Sequence, residues 1–353
     1  MGGQDVLTMT NKNHSNDVRE ESLESTAFEV DSRRIVVKGR WLKVAALEHE
    51  QWLETELDDP VACVKLLREP GLPKQRADIF TFAQKLPVTT PKYDYAMEWE
   101  SVAAVRTTSH KEWWDKLPQE TRKNVRRSQK RGVIVTVDTL HDDLIRGLVE
   151  LNNDSPVRQG RRYTHYGKSV EQVKKDQSSF SDRSSFICAY YGEELIGYMK
   201  IVHRGDVAAV LHLLPKASHQ DKRPANALIA RAVEVCEAKG MSHLIFGQFN
   251  YGNKRDNPLR EFKVRNGFEE ILVPRFYVPL TSWGELCMKA KLHRGLIGIL
   301  PHSIITLGVK ARSKWYNRIN FLRRCSSTSE RPNRIRQMER SIPPAGSNPN
   351  LQQ

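Results

Sequence analysis

Hydrophobic and polar positions follow the clearest pattern between residues 184 and 240, and this stretch organises our interpretation of the chain. Three apolar, β-rich runs cover residues 186–191, 195–202 and 207–214, and short breaks rich in glycine and charge separate them. Short polar breaks between such runs are typical of an antiparallel meander. The sequence therefore predicts three consecutive strands that pair antiparallel.

A helix and a fourth strand are predicted after the meander. Asp221 is a suitable cap for a helix that ends at Gly240, and the apolar residues between them recur at helical spacing along one face. Residues 243–249 are again mostly apolar. A strand, a helix and a strand in this order predict a parallel crossover, so we expect a mixed sheet.

This order of elements resembles the core of the GNAT acyltransferase fold. Residues 226–229 (Asn-Ala-Leu-Ile) open the predicted helix, and residues 258–263 (Pro-Leu-Arg-Glu-Phe-Lys) precede an Asn-Gly-Phe turn at residues 266–268. A late helix with Phe-Lys before a Gly-Phe turn is similar to the FemABX-like branch of that superfamily. The resemblance covers roughly residues 99–280 and implies an α+β fold, in which helices flank a mixed, mostly antiparallel sheet.

The rest of the pattern divides the chain into further segments. Residues 1–27 and 321–353 are polar and without periodicity, and we expect both to be disordered. Short apolar runs in residues 28–106 predict a small N-terminal α+β unit, which the resemblance matches to a reduced first GNAT half. Residues 107–280 form the predicted acyltransferase domain, and residues 281–320 form a basic helical extension.

Composition and charge narrow the choice of partners. The chain has 353 residues, a net charge of +14 and an isoelectric point near 9.6. This balance suits an anionic partner such as nucleic acid, a phosphorylated cofactor or a membrane surface, although ordinary basic proteins share it. The five cysteines are scattered without metal-ligand spacing, which predicts a reduced compartment and no metal site.

The expected location is cytoplasmic. No window of about 18 consecutive apolar residues is present, so we expect no transmembrane segment. Basic and apolar residues alternate through residues 281–320. Such a segment either packs on the domain as a cap or makes a peripheral contact with anionic lipid at the inner membrane face.

A strongly cationic helix is predicted over residues 119–131. Residues four apart share a helix face, which gives two adjacent rows of cations: Arg122, Arg126 and Lys130, and Lys123, Arg127 and Arg131. Like charges at this spacing repel by about 0.2–0.5 kcal/mol per pair. A solvated face is one interpretation, and the other is an anionic ligand, either a phosphate-rich donor, RNA or anionic lipid.

Acylation of an amine needs a polarised donor carbonyl and a base for the amine proton. GNAT enzymes polarise the carbonyl with a backbone N–H of the central strand, and the resemblance places this point near His212, Leu213 and Leu214. His212 is the candidate base because an unperturbed histidine titrates near pH 6.5, and a satisfied core histidine is the alternative. Tyr251 is a second candidate acid or base. By strand alternation, Val210 shares a face with His212 and Leu214.

The donor site shows a departure from the family pattern. GNAT proteins hold a pyrophosphate on a Gln/Arg-x-x-Gly-x-Gly/Ala segment before the long helix. Here Gln220 and Ala225 fit, but Arg223 replaces the first glycine, and Asn226 follows. Lys222 and Arg223 offer side-chain cations instead. The sequence leaves two donors open, acyl-CoA and the aminoacyl-tRNA that FemABX relatives use, and no tightly bound cofactor is expected.

The loop over residues 152–167 combines turn-forming residues with aromatic residues and a planar cation. In GNAT proteins this segment forms one wall of the acceptor cleft. The predicted acceptor-binding residues are Arg158, Gln159, Tyr163, His165 and Tyr166. A solvent-exposed turn is the alternative.

Two hypotheses about function follow. The first is an N-acyltransferase that moves an acyl or aminoacyl group from acyl-CoA or aminoacyl-tRNA to an amine on a metabolite or an envelope precursor. The second is a non-catalytic GNAT-like scaffold that binds RNA or anionic lipid through its basic face. The loop over residues 158–167 favours the enzyme, whereas Arg223 in place of glycine favours the scaffold.

Overall fold

One curled, mostly antiparallel sheet carries strands from both halves of the chain. The computed structural model describes residues 9–10, 26–30, 33–50, 53, 56–69, 77–158, 161–250 and 258–294. Residues Met1–His293 cluster as one compact unit and Arg294–Gln353 as another. The predicted disorder of most of both ends, and the predicted extension beyond Arg294, lie outside the described residues.

The sheet has twelve strands and a separate hairpin has two. In chain order the sheet strands are β1 (Met9–Thr10), β2 (Thr26–Val30), β3 (Arg33–Lys38), β4 (Val44–Leu47), β5 (Ile79–Ala83), β6 (Ala96–Arg106), β7 (Val133–Asp138), β10 (Ser184–Tyr191), β11 (Glu194–Arg204), β12 (Val207–Pro215), β13 (His243–Gln248) and β14 (Glu269–Pro279). The hairpin consists of β8 (Val157–Arg158) and β9 (Arg161–Arg162).

The helices lie between these strands in the chain. They are α1 (Pro60–Arg68), α2 (His110–Lys116), α3 (Gln119–Lys130), α4 (Asp142–Asn153), α5 (Val170–Gln177), α6 (Pro224–Ala238), α7 (Pro258–Arg265) and α8 (Ser282–Lys289). Within the described ranges, none of these helices has the length and the apolar character needed to span a membrane.

The strand order explains how the two halves of the chain are joined. It runs β2-β3-β4-β5-β14-β6-β13-β12-β11-β10-β7, and β1 pairs with β12 outside this path. Strands β5 and β6, from the predicted N-terminal unit, flank β14 from the end of the predicted acyltransferase domain. The segment of residues 28–106 and the segment of residues 107–280 therefore share one sheet.

The predicted meander and crossover are confirmed. Strands β10, β11 and β12 pair antiparallel in sequence, and β12 pairs parallel with β13 across α6. The predicted cap is wrong, because Ala217–Lys222 forms a 3₁₀ helix and Arg223 is the N-cap of α6. Pro224 follows as the first residue of α6, a position where its missing N–H costs no helix hydrogen bond.

Helices cover both faces of the meander. On one face α6 lies across the strands, and α3 packs against α6, over a core that includes Val210, Leu213 and Leu228. On the other face α4 and α5 cover a second core that includes Tyr198 and Leu214. Burial of apolar side chains on both faces keeps the central strands fixed, so side chains at their ends are held in defined positions.

A buried ionic network fastens β14 to its neighbours. Arg275 Nη1 lies 2.8 Å from Glu50 Oε2, and Arg275 Nε donates to Glu100 Oε2 at 3.0 Å. Burial alone would raise the pKa of Glu50, but the charges of Arg275 and Lys85 outweigh it and lower that pKa. Two acids and two cations thus compensate one another where the N-terminal strands meet β14.

Candidate active site

Strands β12 and β13 separate halfway along β12. They pair in parallel only from Val207↔His243 to Ala209↔Ile245. Residues 210–214 of β12 have no described pairing with β13, so a gap opens between the carboxyl ends of the two strands. Backbone N–H and C=O groups that lose their partner strand in this way must find other hydrogen-bond partners.

The chain's own β1 contacts this gap. Met9 pairs with Leu213 and Thr10 pairs with His212, in an antiparallel arrangement. The edge of β12 therefore accepts an extended chain with backbone amides. In this structure β1 occupies the part of that edge at His212 and Leu213.

A β-bulge corrects the predicted faces of β12. Lys200 of β11 pairs with His212, but the next residue, Ile201, pairs with Val210, so Leu211 is an extra residue in β12. The bulge turns Val210 toward the α6 face, where it belongs to the same core as Leu213. The prediction that Val210 shares a face with His212 is therefore wrong.

His212 lies among aromatic rings on the face covered by α4 and α5. The side chain is 5% exposed, and the centroid of its ring lies 6.3 Å from that of His165 and 6.2 Å from that of Tyr198. Tyr163 packs against His165 with 5.4 Å between ring centroids. The structure thus brings the candidate base and two residues of the predicted acceptor loop to one place.

The two tyrosines are held as neutral hydrogen-bonding groups. Tyr163 OH donates to Asn152 Oδ1 at 2.9 Å, and Tyr198 OH accepts from Gln177 Nε2 at 3.1 Å. Burial raises the pKa of Tyr163 and raises that of Tyr198 well above its usual value. Neither phenol loses its proton near neutral pH, so neither serves as the general base.

A polar chain connects His165 to the surface. His165 Nδ1 lies 3.6 Å from Asp176 Oδ2, and Lys168 Nζ contacts both groups. Burial raises the pKa of Asp176, but the hydrogen bonds from His165 and Lys168 outweigh it and bring that pKa to about 2. The carboxylate is therefore ionised at neutral pH, and it lies against the ring of His165.

Lys200 is a buried cation that the sequence analysis did not single out. It is the register partner of His212 on β11, and its Nζ donates to Gln177 O at 2.7 Å and to Ser179 O at 2.6 Å. Burial lowers its pKa to about 8. A lysine inside the apolar run over residues 195–202 was the available sequence signal.

Lys263 of α7 is a second buried cation near the candidate site, and its amine lies at the end of β13. It has no exposed surface, its Nζ donates to Gln248 O at 2.7 Å, and the amine lies 4.9 Å from the centroid of the Phe246 ring. Burial lowers its pKa to about 7. The hydrogen bond ties α7 to the strand that forms the second side of the gap.

Arg158 fastens the acceptor loop to the end of β12. Its guanidinium donates to Pro215 O at 3.1 Å and to Leu151 O at 3.2 Å, and pairs with Asp154 at 3.4 Å. The side chain is 9% exposed and stacks over Tyr163. These contacts hold Tyr163 and the end of β12 together.

The other two predicted residues of the acceptor site are Tyr166 and Gln159. Tyr166 is 44% exposed on the surface of the loop, and Gln159 lies outside the described residues. Tyr251, the second candidate acid or base, also lies outside the described residues.

The donor segment keeps the backbone of a glycine turn without the glycine. Arg223 has φ 57° and ψ 41°, the left-handed conformation, which costs a residue with a Cβ about 1 kcal/mol or more. Its N–H donates to Gln220 O at 3.0 Å. Ala225 is buried in the first turn of α6, and Asn226 Nδ2 donates to Asn266 Oδ1 at 2.9 Å. The turn before α6 therefore has the geometry that the family pattern assigns to glycine.

Cations surround this turn. Lys222 Nζ lies 4.6 Å from the centroid of the Tyr191 ring and 3.6 Å from Asp221 Oδ1. Arg131, at the end of α3, contacts the backbone of Asp221 and lies 2.9 Å from its carboxylate. This pairing anchors the cationic helix beside the N-terminus of α6.

The exposed side of α3 carries the rest of its charge. Six cations lie in α3 and its C-cap, Arg131. Among the described residues, only Arg131 of these six forms an ion pair with a carboxylate. Arg126 lies 5.6 Å above the ring of Trp114, at the edge of a groove of about 530 Å³ whose other wall includes Ala227 and Ala230 of α6. An aromatic ring and unpaired cations together are typical of surfaces that bind nucleotides.

Cys188 and Cys236 are buried in the cores on the two faces of the meander. Burial raises the pKa of Cys188 and of Cys236 to about 12, so both thiols stay protonated. The described residues contain no cluster of His, Cys, Asp and Glu able to hold a metal ion.

Comparisons with known proteins agree with this geometry. Residues 145–259, which run from α4 to the start of α7, match the acetyltransferase (GNAT) family. None of the curated proteins matches the chain. The structure of FemX superposes with a TM-score of 0.53 at 10% identity, over 80% of this chain and 99% of that chain. The C-terminal domain of a proposed lysylphosphatidylglycerol synthetase from Agrobacterium fabrum superposes with a TM-score of 0.50 at 11% identity, over 79% and 95% of the two chains.

The segment that matches the GNAT family contains the elements that form the candidate site. The GNAT match spans the meander, the bulged strand and the turn before α6. The superposition on FemX extends beyond that segment, since it covers most of both chains. Residues 145–259 are therefore similar to the acetyltransferase (GNAT) family, and the chain shares its fold with FemX.

Proposed function

We propose that the chain is an N-acyltransferase whose donor carbonyl enters the gap between β12 and β13. The separation of these strands after Ala209 and Ile245, next to the buried His212, is the observation that carries the proposal. The acyl group of the donor and the amine of the acceptor meet at the bulged edge of β12. The amine forms an amide with the acyl carbon, and the donor's oxygen or sulfur leaves with a proton.

Backbone N–H groups of residues 210–214 polarise the donor carbonyl. They lie on a strand that the apolar cores on its two faces hold rigid. No reorganisation is therefore needed when negative charge develops on the carbonyl oxygen. Loss of one such donor typically costs a factor of about 10²–10³ in rate. The pairing of β1 with this edge supports its ability to bind a backbone-like chain.

His212 accepts the proton of the attacking amine. Its ring lies beside that edge and close to His165, within a distance that one water bridges. From His165 the proton has a path to the partly exposed pair of Asp176 and Lys168. The route leads from a buried reaction centre to solvent without an ionised tyrosine.

Lys263 acts as a positioning residue for the second side of the gap. Its ammonium group holds the carbonyl of Gln248, the last residue of β13, and so fixes where that strand diverges from β12. Lys200 holds the segment after α5 in the same manner, beside His212. Both amines are kept in place by carbonyl acceptors instead of carboxylates.

The donor that fits the surface best is an aminoacyl-tRNA. The phosphates of either donor have a place at the N-terminus of α6, where first-turn N–H groups and Lys222 and Arg223 lie. The exposed cations of α3, anchored to Asp221, and the aromatic groove at Trp114 extend this site well beyond the reach of a pyrophosphate. A polyanion that continues along α3 accounts for both features, and acyl-CoA is the alternative donor.

The acceptor is proposed to be an amine that lies between the loop over residues 163–166 and β12. His165 and Tyr163 contribute its wall beside His212, and Tyr166 lies at its rim. A small metabolite and an envelope precursor both satisfy this placement. The aromatic wall favours an acceptor with apolar surface next to its amine.

Transfer assays with the two donors test the proposal. Purified full-length protein is incubated with tRNA charged with labelled amino acids, or with acetyl-CoA, together with a fractionated pool of small amines, and alkali-stable label in an amide is measured. One donor should give transfer. His212→Ala should lower the rate by about a hundredfold with the donor dissociation constant nearly unchanged.

A matched histidine on the same meander serves as the control. His203, on β11, bonds Ser185 and has no described contact with His212, so His203→Ala should keep the wild-type rate. If neither donor supports transfer, or if both variants react equally fast, the assignment of this centre is wrong.

A non-catalytic scaffold is the second candidate function, and two observations favour it. In the structure β1 already pairs with the edge of β12 that a donor needs, and Arg223 stands where the family has glycine. A scaffold of this kind would bind RNA through α3 without consuming a donor. Binding of uncharged tRNA with no transfer from charged tRNA distinguishes it from the enzyme.

A further inference from the structure

Two tryptophans and a leucine form an exposed apolar patch, which we call the tryptophan patch. Trp41 is 59% exposed, Trp283 is 43% exposed and Leu286 is 56% exposed. The rings of Trp41 and Trp283 meet edge to face with centroids 6.4 Å apart. Leu286 follows Trp283 by one turn of α8 and so lies on the same face of that helix.

The indole of Trp283 does not need water as a hydrogen-bond partner. Its Nε1 donates to Trp41 O at 2.9 Å, so the polar atom of the side chain is satisfied within the protein. The exposed part of the ring is apolar, so the ring forms no hydrogen bond with water that a docking partner would have to replace.

Close packing beneath the tryptophan patch holds it in position. Gly39 has φ +113°, and a Cβ there would lie 2.0 Å from Leu42 O, so the turn that presents Trp41 needs glycine. Leu42 is buried with Ile79 and Cys287 in one small core. Gly284 of α8 packs against Asp78 O, which a Cβ would approach to 1.9 Å. The patch is therefore preformed.

The charges around the tryptophan patch are mostly positive. Arg40, Lys43, Lys289 and Lys291 are exposed in the two segments that carry it. Two acidic residues are close to it: Glu285 pairs with Lys289 at 2.8 Å within α8, and the half-buried Asp78 accepts hydrogen bonds from Lys43 N and Thr281 Oγ1. An apolar centre with a cationic rim is complementary to an anionic bilayer, where indoles occupy the headgroup region and lysines reach the lipid phosphates.

We propose that the tryptophan patch docks the protein on an anionic membrane surface by inserting Trp41, Trp283 and Leu286 among the headgroups. A second copy of the chain is a poorer occupant, because a twofold contact would place like cations against each other. The proposal adds an interaction surface and does not depend on the reaction assigned to the gap.

Vesicle sedimentation of the full chain tests the proposal. The probes are vesicles of phosphatidylcholine alone and vesicles that also contain phosphatidylglycerol. Wild-type protein should bind the second kind preferentially, and added salt should weaken binding. The triple variant Trp41→Gln, Trp283→Gln, Leu286→Gln should bind about tenfold more weakly or worse, because binding scales with buried apolar area.

Trp99 provides a matched control. It is 50% exposed on β6, and Trp99→Gln should bind anionic vesicles as the wild type does. Quenching of tryptophan fluorescence by brominated lipid should be lost in the triple variant and kept in Trp99→Gln. Thermal unfolding of each variant verifies that the fold is intact, and all changed positions are exposed.

Three outcomes would overturn the proposal. The first is that wild-type protein fails to bind anionic vesicles. The second is that the triple variant binds as well as the wild type, which would assign binding to another basic segment. The third is that analytical ultracentrifugation shows a dimer that the triple variant abolishes, which would make the patch a contact between copies of this chain.

Discussion

Replacing Lys263 with methionine tests how much the buried amine changes the free energy of unfolding, because the replacement keeps most of the packing of the side chain. The side chain has no exposed surface, and a carbonyl, Gln248 O, is its described hydrogen-bond acceptor. Methionine has a similar length and shape but no charge, so it fills the space at the end of β13. The variant therefore removes one titrating group from the interior with little change in volume.

The pKa of Lys263 gives the size and the sign of the effect. Burial lowers it from the usual 10.5 to about 7 in the folded protein. Between these values the unfolded chain binds more protons than the folded one, so the free energy of unfolding rises with pH. The slope is about 1.4 kcal/mol per pH unit, which amounts to about 5 kcal/mol over the whole window. Below about pH 7 both states hold the proton, and this contribution is flat.

Urea unfolding of both proteins at several pH values measures this difference. The free energy of unfolding of the wild type minus that of Lys263→Met should rise by about 3 kcal/mol between about pH 6 and pH 9. Lys175→Met is the control, because Lys175 is exposed on α5, and its difference from the wild type should not vary with pH. A difference for Lys263→Met that is equally independent of pH would refute the reasoning.

Four further predictions concern three changes at or near the proposed donor site. Charge reversal at Arg122, Arg126 and Lys130 should weaken tRNA binding and flatten its salt dependence, measured by filter binding, and an unchanged salt slope would mean that α3 is only a solvated face. Arg223→Gly should relieve the left-handed strain and raise the melting temperature by about 2–4 °C in calorimetry, while Arg223→Ala keeps the strain. The same Arg223→Gly change should raise the donor dissociation constant about tenfold, and equal affinity would remove Arg223 from the donor site. A chain without residues 1–20 should bind donor more tightly than the full chain in calorimetric titration, because β1 competes for the edge of β12, and equal affinity would argue against that competition.

Much of the central fold was predictable from local pattern. The three apolar runs and the breaks at Gly192 and Gly205 predict the meander, and both glycines have positive φ in the turns. Ser109 precedes α2 as a residue type that favours helix N-caps, and its Oγ accepts from Glu112 N at 3.2 Å. These features depend on residues close together in the chain, which is why a single sequence suffices for them.

The bulge in β12 was not predictable from the same pattern. Residues 207–214 are apolar on both faces, because helices cover both, so alternation carries no signal about the extra residue Leu211. No glycine or proline marks it. The register depends on how β11 and β12 pair, and the face of Val210 follows from that tertiary choice.

Buried lysines and Arg158 show a second limit of sequence reasoning. A lysine is ordinarily expected at the surface, yet Lys200 is stabilised inside by carbonyls of residues 177 and 179, more than 20 positions away. Arg158 reaches Pro215 O, 57 positions away. Because these partners come together only in the folded chain, the composition of the loop could not predict that Arg158 bonds the end of β12, and its predicted contact with an acceptor stays a prediction.

Hydrogen–deuterium exchange of the full chain with and without donor tests the central claim most directly. Saturating charged tRNA or acetyl-CoA, with binding verified independently, should slow the exchange of amides in residues 210–214 and in the first turn of α6. Amides of β10, which pairs on both sides with other strands, should not change. Donor binding that leaves residues 210–214 unchanged would contradict the account, because the carbonyl would then be held elsewhere.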